Sequence, residues 1–244
     1  MYENKLPIKY FLRPYVLFLY AAFLCFAPMN AQNNPVVNYL QQTGDYAEIY
    51  NGKLESVYNT LIYENFPYYT NADFVDATVV YRNNYYPDQK ARLDLYAEQL
   101  ILLPPDKRFG VIVSSKNVQK VVMYNKSFVW LTPSKDSGLK QGYYIQLYEG
   151  RKIQLFCKQY YSLQQQQGKI TYYFELKTRY YLFYNSKYYS VKNKGVFNKL
   201  FPQVKKQINQ FVKNSHLNFK QNTDESLTLL AGHCEELITS TNKQ

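Results

Sequence analysis

The residues of this chain that could carry out chemistry are few and widely separated. Its two histidines, His216 and His233, lie in the C-terminal part, and His233 precedes Cys234. Neighbouring residues on a helix point about 100° apart, so His233 and Cys234 cannot form a nucleophile and base pair. No GxSxG, HExxH, glycine-rich phosphate loop or Cys/His cluster occurs. The sequence therefore predicts no catalytic residue, no cofactor and no metal site.

A pair of carboxylates is the one arrangement that could support catalysis. Asp73 and Asp76 are close in the chain, and so are Asp94 and Glu98. Two carboxyl groups about 5 Å or about 7–9 Å apart in a cleft can hydrolyse a glycosidic bond. Acidic residues in the turns of a β protein give the same spacing without any activity. A hydrolase acting on an envelope or extracellular polymer is thus the alternative function, and whether the chain is an enzyme stays open.

Tyrosine is the most unusual component, because the chain has 28 Tyr and 15 Phe but a single Trp. Adjacent residues of a strand point to opposite faces, so a Tyr-Tyr doublet places one ring in the core and one outside. Outer rings beside cations would suit a glycan or protein partner, whereas aromatic pairing across strands would explain the doublets without a ligand. Seven doublets occur: Tyr68-Tyr69, Tyr85-Tyr86, Tyr143-Tyr144, Tyr160-Tyr161, Tyr172-Tyr173, Tyr180-Tyr181 and Tyr188-Tyr189.

The stretch from Ile170 to Tyr184 is the element that must position the outer rings. Apart from Thr178, its even positions hold apolar residues and tyrosines, whereas its odd positions include the charged residues Glu175, Lys177 and Arg179. This period of two predicts a strand with one buried and one solvated face. The turn residues Asn185-Ser186 then lead into a further short strand. The predicted binding residues are Tyr173, Tyr181, Lys177, Arg179 and Lys187.

The rest of the chain predicts a mainly β protein with a helical end. Short alternating segments are separated by turn residues such as Asn51-Gly52 and Glu149-Gly150. From residue 196 the apolar residues recur at intervals of three and four, which is typical of helices. We therefore predict an antiparallel β-meander of successive hairpins over residues 32–192. A segment of two or three helices over residues 193–240 is expected to pack on it.

The N-terminal residues 1–31 have the pattern of a signal peptide. Lys5, Lys9 and Arg13 precede an apolar run from Tyr15 to Ala27, and a plausible cleavage site follows before Gln32. This run is short for a membrane-spanning helix, and no second apolar run follows it. The prediction is an exported protein of the periplasm or cell surface, with an uncleaved N-terminal anchor as the alternative.

The net charge without residues 1–31 indicates which classes of partner the protein could bind. Removing residues 1–31 takes away three of the 29 basic and one of the 18 acidic residues, which changes the net charge from +11 to +9. A basic exported domain favours an anionic glycan, lipid headgroups or a protein partner, and its scattered cations do not predict nucleic-acid binding.

Cys157 and Cys234 fit buried apolar positions, and the sequence leaves open whether a disulfide joins them.

Short motifs follow one another along the chain: Ile49-Tyr50-Asn51-Gly52, Phe66-Pro67-Tyr68-Tyr69, Leu93-Asp94-Leu95-Tyr96 with Gln99-Leu100-Ile101, Gly142-Tyr143-Tyr144, Leu147-Tyr148-Glu149-Gly150 and Tyr188-Tyr189-Ser190-Val191-Lys192. The chain resembles uncharacterised exported proteins of the Bacteroidota, for which no activity is established. The resemblance implies an exported β protein, and it provides no catalytic residue. We expect a non-enzymatic binding or scaffold protein of the bacterial envelope that uses exposed Tyr, Lys and Arg side chains.

Overall fold

The computed structural model describes residues 35–44, 47–133 and 137–241. The predicted signal peptide, residues 1–31, lies outside these residues. Within them the protein is mainly antiparallel β with helices at its C-terminal end, which confirms the predicted fold class. The strands are β1 (Lys53–Leu54), β2 (Val75–Tyr81), β3 (Asn84–Asp94), β4 (Gln99–Leu103), β5 (Val111–Ile112), β6 (Val118–Met123), β7 (Lys126–Leu131), β8 (Gly142–Glu149), β9 (Ile153–Gln165), β10 (Tyr172–Tyr184) and β11 (Lys187–Val191).

All of these strands belong to one sheet, in the order β1-β5-β4-β3-β2-β6-β7-β8-β9-β10-β11. From β6 to β11 each strand pairs with the next one in the chain, so this half is a simple meander. The sheet is curled, and its curl brings the turn between β3 and β4 into contact with β8 and β9. Leu95 in this turn accepts a backbone hydrogen bond from Tyr161 of β9 at 3.3 Å.

Tight turns explain why most of the predicted hairpins form. In Arg82-Asn83, Tyr124-Asn125 and Asn185-Ser186 both residues have positive φ, as type I′ turns require. The hairpin predicted around Asn51-Gly52 is wrong, since Glu48–Tyr50 is a 3-10 helix and β1 pairs with β5. Gly52 lies against that neighbouring strand, where a β-carbon would be 2.1 Å from the carbonyl oxygen of Ile112.

Four helices lie within the described residues. Helix α1 (Pro35–Thr43) precedes the sheet, within the range for which the sequence predicted only β hairpins. Helices α2 (Gly195–Leu200), α3 (Lys205–Asn214) and α4 (Thr223–Thr241) follow β11, and the 3-10 turn Pro202–Val204 separates α2 from α3. No helix in this part of the chain is both long and apolar enough to cross a membrane.

Two large apolar clusters form the core. The first is enclosed by the curled sheet and includes Leu93, Phe128 and Cys157. The second lies between strands β8–β11 and the C-terminal helices, and Leu182 and Cys234 belong to it. Both cysteines are free, and burial raises the pKa of each thiol to about 12. They therefore serve as small apolar side chains, as one of the two interpretations of the sequence expected.

Candidate functional site

A cavity of about 280 Å³ lies where the β3–β4 turn meets the face of β8, β9 and β10 that points away from the C-terminal helices. Five of its wall residues are tyrosines on neighbouring strands or in the turn. We call this cavity the tyrosine pocket. Its wall includes Glu98, Lys140, Tyr144, Lys158, Tyr160, Arg179 and Tyr181.

The β3–β4 turn is held in place by the buried side chain of Asp94. Its Oδ1 accepts the backbone N–H groups of Tyr96 and Ala97, each at 2.8 Å, and its Oδ2 accepts the hydroxyl of Tyr58 at 2.7 Å. The turn then reaches Glu98 with a positive φ of 55°. This conformation directs the Glu98 side chain toward β8 and β9.

Glu98 and Lys158 form an ion pair in the wall of the pocket. Lys158 Nζ donates to Glu98 Oε1 at 2.6 Å and to the carbonyl oxygen of Tyr143 at 2.9 Å. The backbone N–H of Tyr143 donates to Glu98 Oε2 at 2.8 Å. The same ammonium group lies 4.8 Å from the centre of the Tyr144 ring. The Lys158 side chain is only 6% exposed, so its charge is neutralised inside the protein and is not offered to a ligand.

Burial shifts the pKa values of this pair in opposite directions. It raises the pKa of Glu98 and lowers the pKa of Lys158, while the attraction between the two charges opposes both shifts. Burial also raises the pKa of Tyr144, whose hydroxyl donates to the carbonyl oxygen of Lys140 at 2.6 Å. Since the oxygens of Glu98 already accept hydrogen bonds, this carboxylate serves to hold the wall together.

Positive charge remains at the rim of the pocket. Arg179 and Lys140 are exposed, and no described residue forms an ion pair with either of them. The Arg179 guanidinium lies 5.6 Å from the centre of the Tyr160 ring, and a hydrogen bond with Tyr181 raises its pKa. The pocket thus combines aromatic surfaces, a neutralised wall and two exposed cations that have no ion-pair partner among the described residues.

The five predicted binding residues do not all meet at this site. Arg179 and Tyr181 line the pocket. Lys177 is in an ion pair with Glu175 at 2.5 Å, Tyr173 is half-buried near the start of β10, and Lys187 is exposed just after the β10–β11 turn. None of these three residues lines the pocket.

Tyr181 is also less exposed than its predicted place on a solvated strand face implied. Only 9% of its surface is accessible, because its ring packs against Tyr144 and Phe156. The centres of the Tyr144 and Tyr181 rings are 6.1 Å apart. A part of the ring still reaches the pocket, so Tyr181 contributes an edge to its wall and not a fully exposed surface.

The carboxylates of the alternative hydrolase lie in different places. Asp73 and Asp76 are exposed, and Asp76 is paired with Lys90 at 2.7 Å. Burial raises the pKa of both Asp94 and Glu98. However, Asp94 lines a separate cavity beside Tyr58, whereas Glu98 lines the tyrosine pocket. Asp94 and Glu98 therefore line different cavities.

A second buried ion pair lies in the β1–β2 connection, residues 55–74, which supports the pocket from outside. Glu55 binds Arg92 of β3 through both carboxylate oxygens, at 2.5 and 3.1 Å. The Arg92 guanidinium lies between the rings of Tyr68 and Phe74, 4.4 and 4.3 Å from their centres. Tyr68 also donates its hydroxyl to Glu55 at 2.8 Å. This connection is therefore attached firmly to β3.

The same connection contacts the first residues of β10. The side chain of Asn65 donates to the carbonyl oxygen of Phe174 at 2.9 Å and accepts the Phe174 N–H at 2.7 Å. The Phe174 ring packs against Tyr58, Tyr63 and Tyr96, with centres 5.1–5.3 Å apart. Residues 55–74 thereby link β3, the β3–β4 turn and β10 around the pocket.

Sequence reasoning missed Lys158 and Tyr144 as pocket residues. The signal for Lys158 was a lone cation directly after the apolar residues Phe156 and Cys157, and Tyr144 was visible only as one member of a doublet.

Comparison of the chain with protein-family models, curated proteins and solved structures finds no match. Within the described ranges, no group of three or more His, Cys, Asp or Glu residues could hold a metal ion.

Proposed function

We propose that this is an exported, non-enzymatic protein of the bacterial envelope that binds an anionic glycan in the tyrosine pocket. The observation that carries this proposal is the pair of exposed cations, Arg179 and Lys140, on the rim of a tyrosine-lined cavity. The nearby carboxylate of Glu98 is neutralised by Lys158, so the exposed charge at the rim is positive.

The chemistry of the wall suits a sugar that carries a carboxylate or sulfate. Tyrosine offers an apolar ring against which a sugar ring can pack, and a hydroxyl that can exchange hydrogen bonds with sugar hydroxyls. An arginine can bind a carboxylate through two parallel hydrogen bonds. A cavity of about 280 Å³ is close to the lower end of the range for small-molecule sites, about 300–1,000 Å³, which favours one or two sugar units at the end or in a bend of a chain.

Binding is better supported than hydrolysis. A glycosidase mechanism requires two carboxyl groups on opposite sides of the scissile bond. Glu98 is the one candidate carboxylate that lines this pocket, and its oxygens accept hydrogen bonds from Lys158 and Tyr143.

The proposed exported location follows from residues 1–31, and cell fractionation that recovered the protein in the cytoplasm would contradict it.

The experiment that tests the pocket is a titration with defined sugars. The probes are an oligosaccharide containing glucuronic acid and its counterpart in which glucose replaces each uronic acid. We expect the acidic probe to bind and Arg179→Gln to weaken binding by about tenfold or more, because one charge-assisted hydrogen bond contributes about 1.5–3 kcal/mol.

Lys187→Gln is the matched control, since it removes an exposed cation that lies outside the pocket. Its affinity for the acidic probe should stay close to that of the unmodified protein. Equal affinity for the acidic and neutral probes, or an unchanged affinity in Arg179→Gln, would rule out anionic-glycan binding at this site.

A further inference from the structure

Strand β10 has a free edge between two segments that cover it. On one side, β9 pairs with β10 along its whole length, from Tyr172 to Tyr184. On the other side, β11 pairs only with Tyr180–Tyr184. Near the start of β10 this second side is covered by the β1–β2 connection, through backbone bonds at Tyr172 and the Asn65 side chain at Phe174.

The direction of the backbone groups shows what this edge offers. A two-residue turn joins Tyr184 to Lys187, so even-numbered residues of β10 direct their N–H and C=O groups toward β11. Tyr172 and Phe174 direct theirs toward the same side, where the β1–β2 connection binds them. Leu176 and Thr178 lie between these covered positions. Among the described residues, nothing hydrogen-bonds to the N–H or C=O of either one. We call these two residues the open edge.

The shape of the open edge decides which occupant fits. Phe174 and Tyr180 are about 20 Å apart along an extended strand at about 3.3 Å per residue. Both ends of this interval are closed by chain lying beside β10, namely Asn65 and the end of β11 at Val191. The same edge of a second copy has the same two obstructions, so two copies cannot pair here edge to edge. One extended segment of about five residues fits the interval.

The charge around the open edge favours an acidic segment. Arg179 and Lys192 are exposed beside it, and Lys177 is paired with the one neighbouring acid on the strand, Glu175. A cavity of about 580 Å³ adjoins the edge and is lined by Thr178, Arg179 and Lys192, among others. This cavity offers space for a side chain of the bound segment next to two cations.

We propose that the open edge binds an extended acidic segment of a partner protein by strand addition. The segment's backbone completes the hydrogen bonds of Leu176 and Thr178, and its acidic side chains meet Arg179 and Lys192. Unpaired edge groups are the usual templates for such pairing, in which main-chain bonds provide affinity and side chains provide specificity. Arg179 lines both this cavity and the tyrosine pocket, but the backbone groups of the open edge are distinct from the pocket, because neither Leu176 nor Thr178 lines it.

The test uses the full chain and a blocked peptide of alternating Glu and Val, about five residues long to match the interval. Two further peptides serve as probes, one with Lys in place of Glu and one with every backbone nitrogen methylated. Thr178→Pro removes an N–H that points away from β9, so the β9–β10 ladder keeps its bonds. Thr178→Ala is the matched control, because it changes the side chain and keeps the N–H.

We expect the acidic peptide to bind and to slow the amide exchange of Leu176 and Thr178. The Thr178→Pro variant should bind it about tenfold more weakly, and Thr178→Ala within about twofold of the unmodified protein. Acidic-sugar binding should persist in both variants, which separates this test from that of the pocket. Absence of peptide binding, or equal binding of the methylated peptide, would overturn the proposal even if Thr178→Pro folds poorly.

Discussion

The two buried ion pairs of this protein use the same kind of contact in different surroundings. Arg92 is held by both oxygens of Glu55 and covered on both faces by aromatic rings, and the Glu55 side chain is only 5% exposed although it borders the cavity beside Tyr58. Lys158 has one carboxylate oxygen, one carbonyl oxygen and one ring as partners, and its site opens into the tyrosine pocket. The first pair fixes the β1–β2 connection, and the second neutralises the wall of a site.

The largest expected effect is on the Arg92–Glu55 pair, which we call the closed pair because aromatic rings cover its cation. We expect Arg92→Met to lower the free energy of unfolding by about 4–5 kcal/mol, because it leaves Glu55 buried without its cation. Urea denaturation measures this change. Arg92→Lys should also be destabilising, since a lysine cannot reproduce the bidentate bond. A loss below about 1 kcal/mol in Arg92→Met would mean that the pair contributes little to holding residues 55–74.

The Lys158–Glu98 pair opens into the tyrosine pocket, and we call it the open pair. Loss of its cation should lower the free energy of unfolding by less. We expect Lys158→Met to cost about 2–3 kcal/mol, below the usual range for a broken buried pair, because the Glu98 side chain is 21% exposed and can be hydrated from the pocket. The double variant Glu98→Gln/Lys158→Met should regain most of this loss, since it removes both charges together. If Lys158→Met cost as much as Arg92→Met, the contrast between a closed and an open pair would be wrong.

The pH dependence of Lys158→Met sharpens the same contrast. Burial raises the pKa of Glu98, so the folded carboxyl binds its proton more tightly than the unfolded one. Its contribution to stability is therefore complete below the unfolded pKa and is lost as the pH rises through the folded pKa. Without the charge of Lys158 this loss of stability with rising pH should be larger. The difference in the free energy of unfolding between Lys158→Met and the unmodified protein should therefore be wider at pH 7 than at pH 4. The double variant, which lacks the carboxyl, should show no such widening.

Local patterns in the sequence predicted much of the sheet. The period of two identified β10 to within two residues of its start, and Asn185-Ser186 identified the turn that follows it. Both predictions succeed because strand alternation and turn chemistry depend on residues close together in the chain. The error at Asn51-Gly52 has a different origin. Gly52 is needed there for the close approach of another strand, a requirement that its own neighbours in the chain do not reveal.

The site was predicted only in part, because its pairs are distant in the chain. Alternation correctly placed Arg179 and Tyr181 on one face of β10. It could not show that Tyr144 covers Tyr181, or that Glu98 meets Lys158 sixty residues later. Those contacts depend on the curl of the whole sheet, which is set by the sum of the strand pairings and not by any one segment.

The attachment of Asn65 to Phe174 has a consequence for the order of folding. This contact closes a loop of 109 residues, whereas the β10–β11 hairpin closes across a two-residue turn. Chain-closure entropy grows with loop length, so the local hairpin should form early and the contact at Asn65 late. Pulsed hydrogen exchange during refolding should protect the Leu182 amide before the Phe174 amide, and the reverse order would contradict this. The tyrosine pocket would then be among the last parts of the molecule to acquire its native shape.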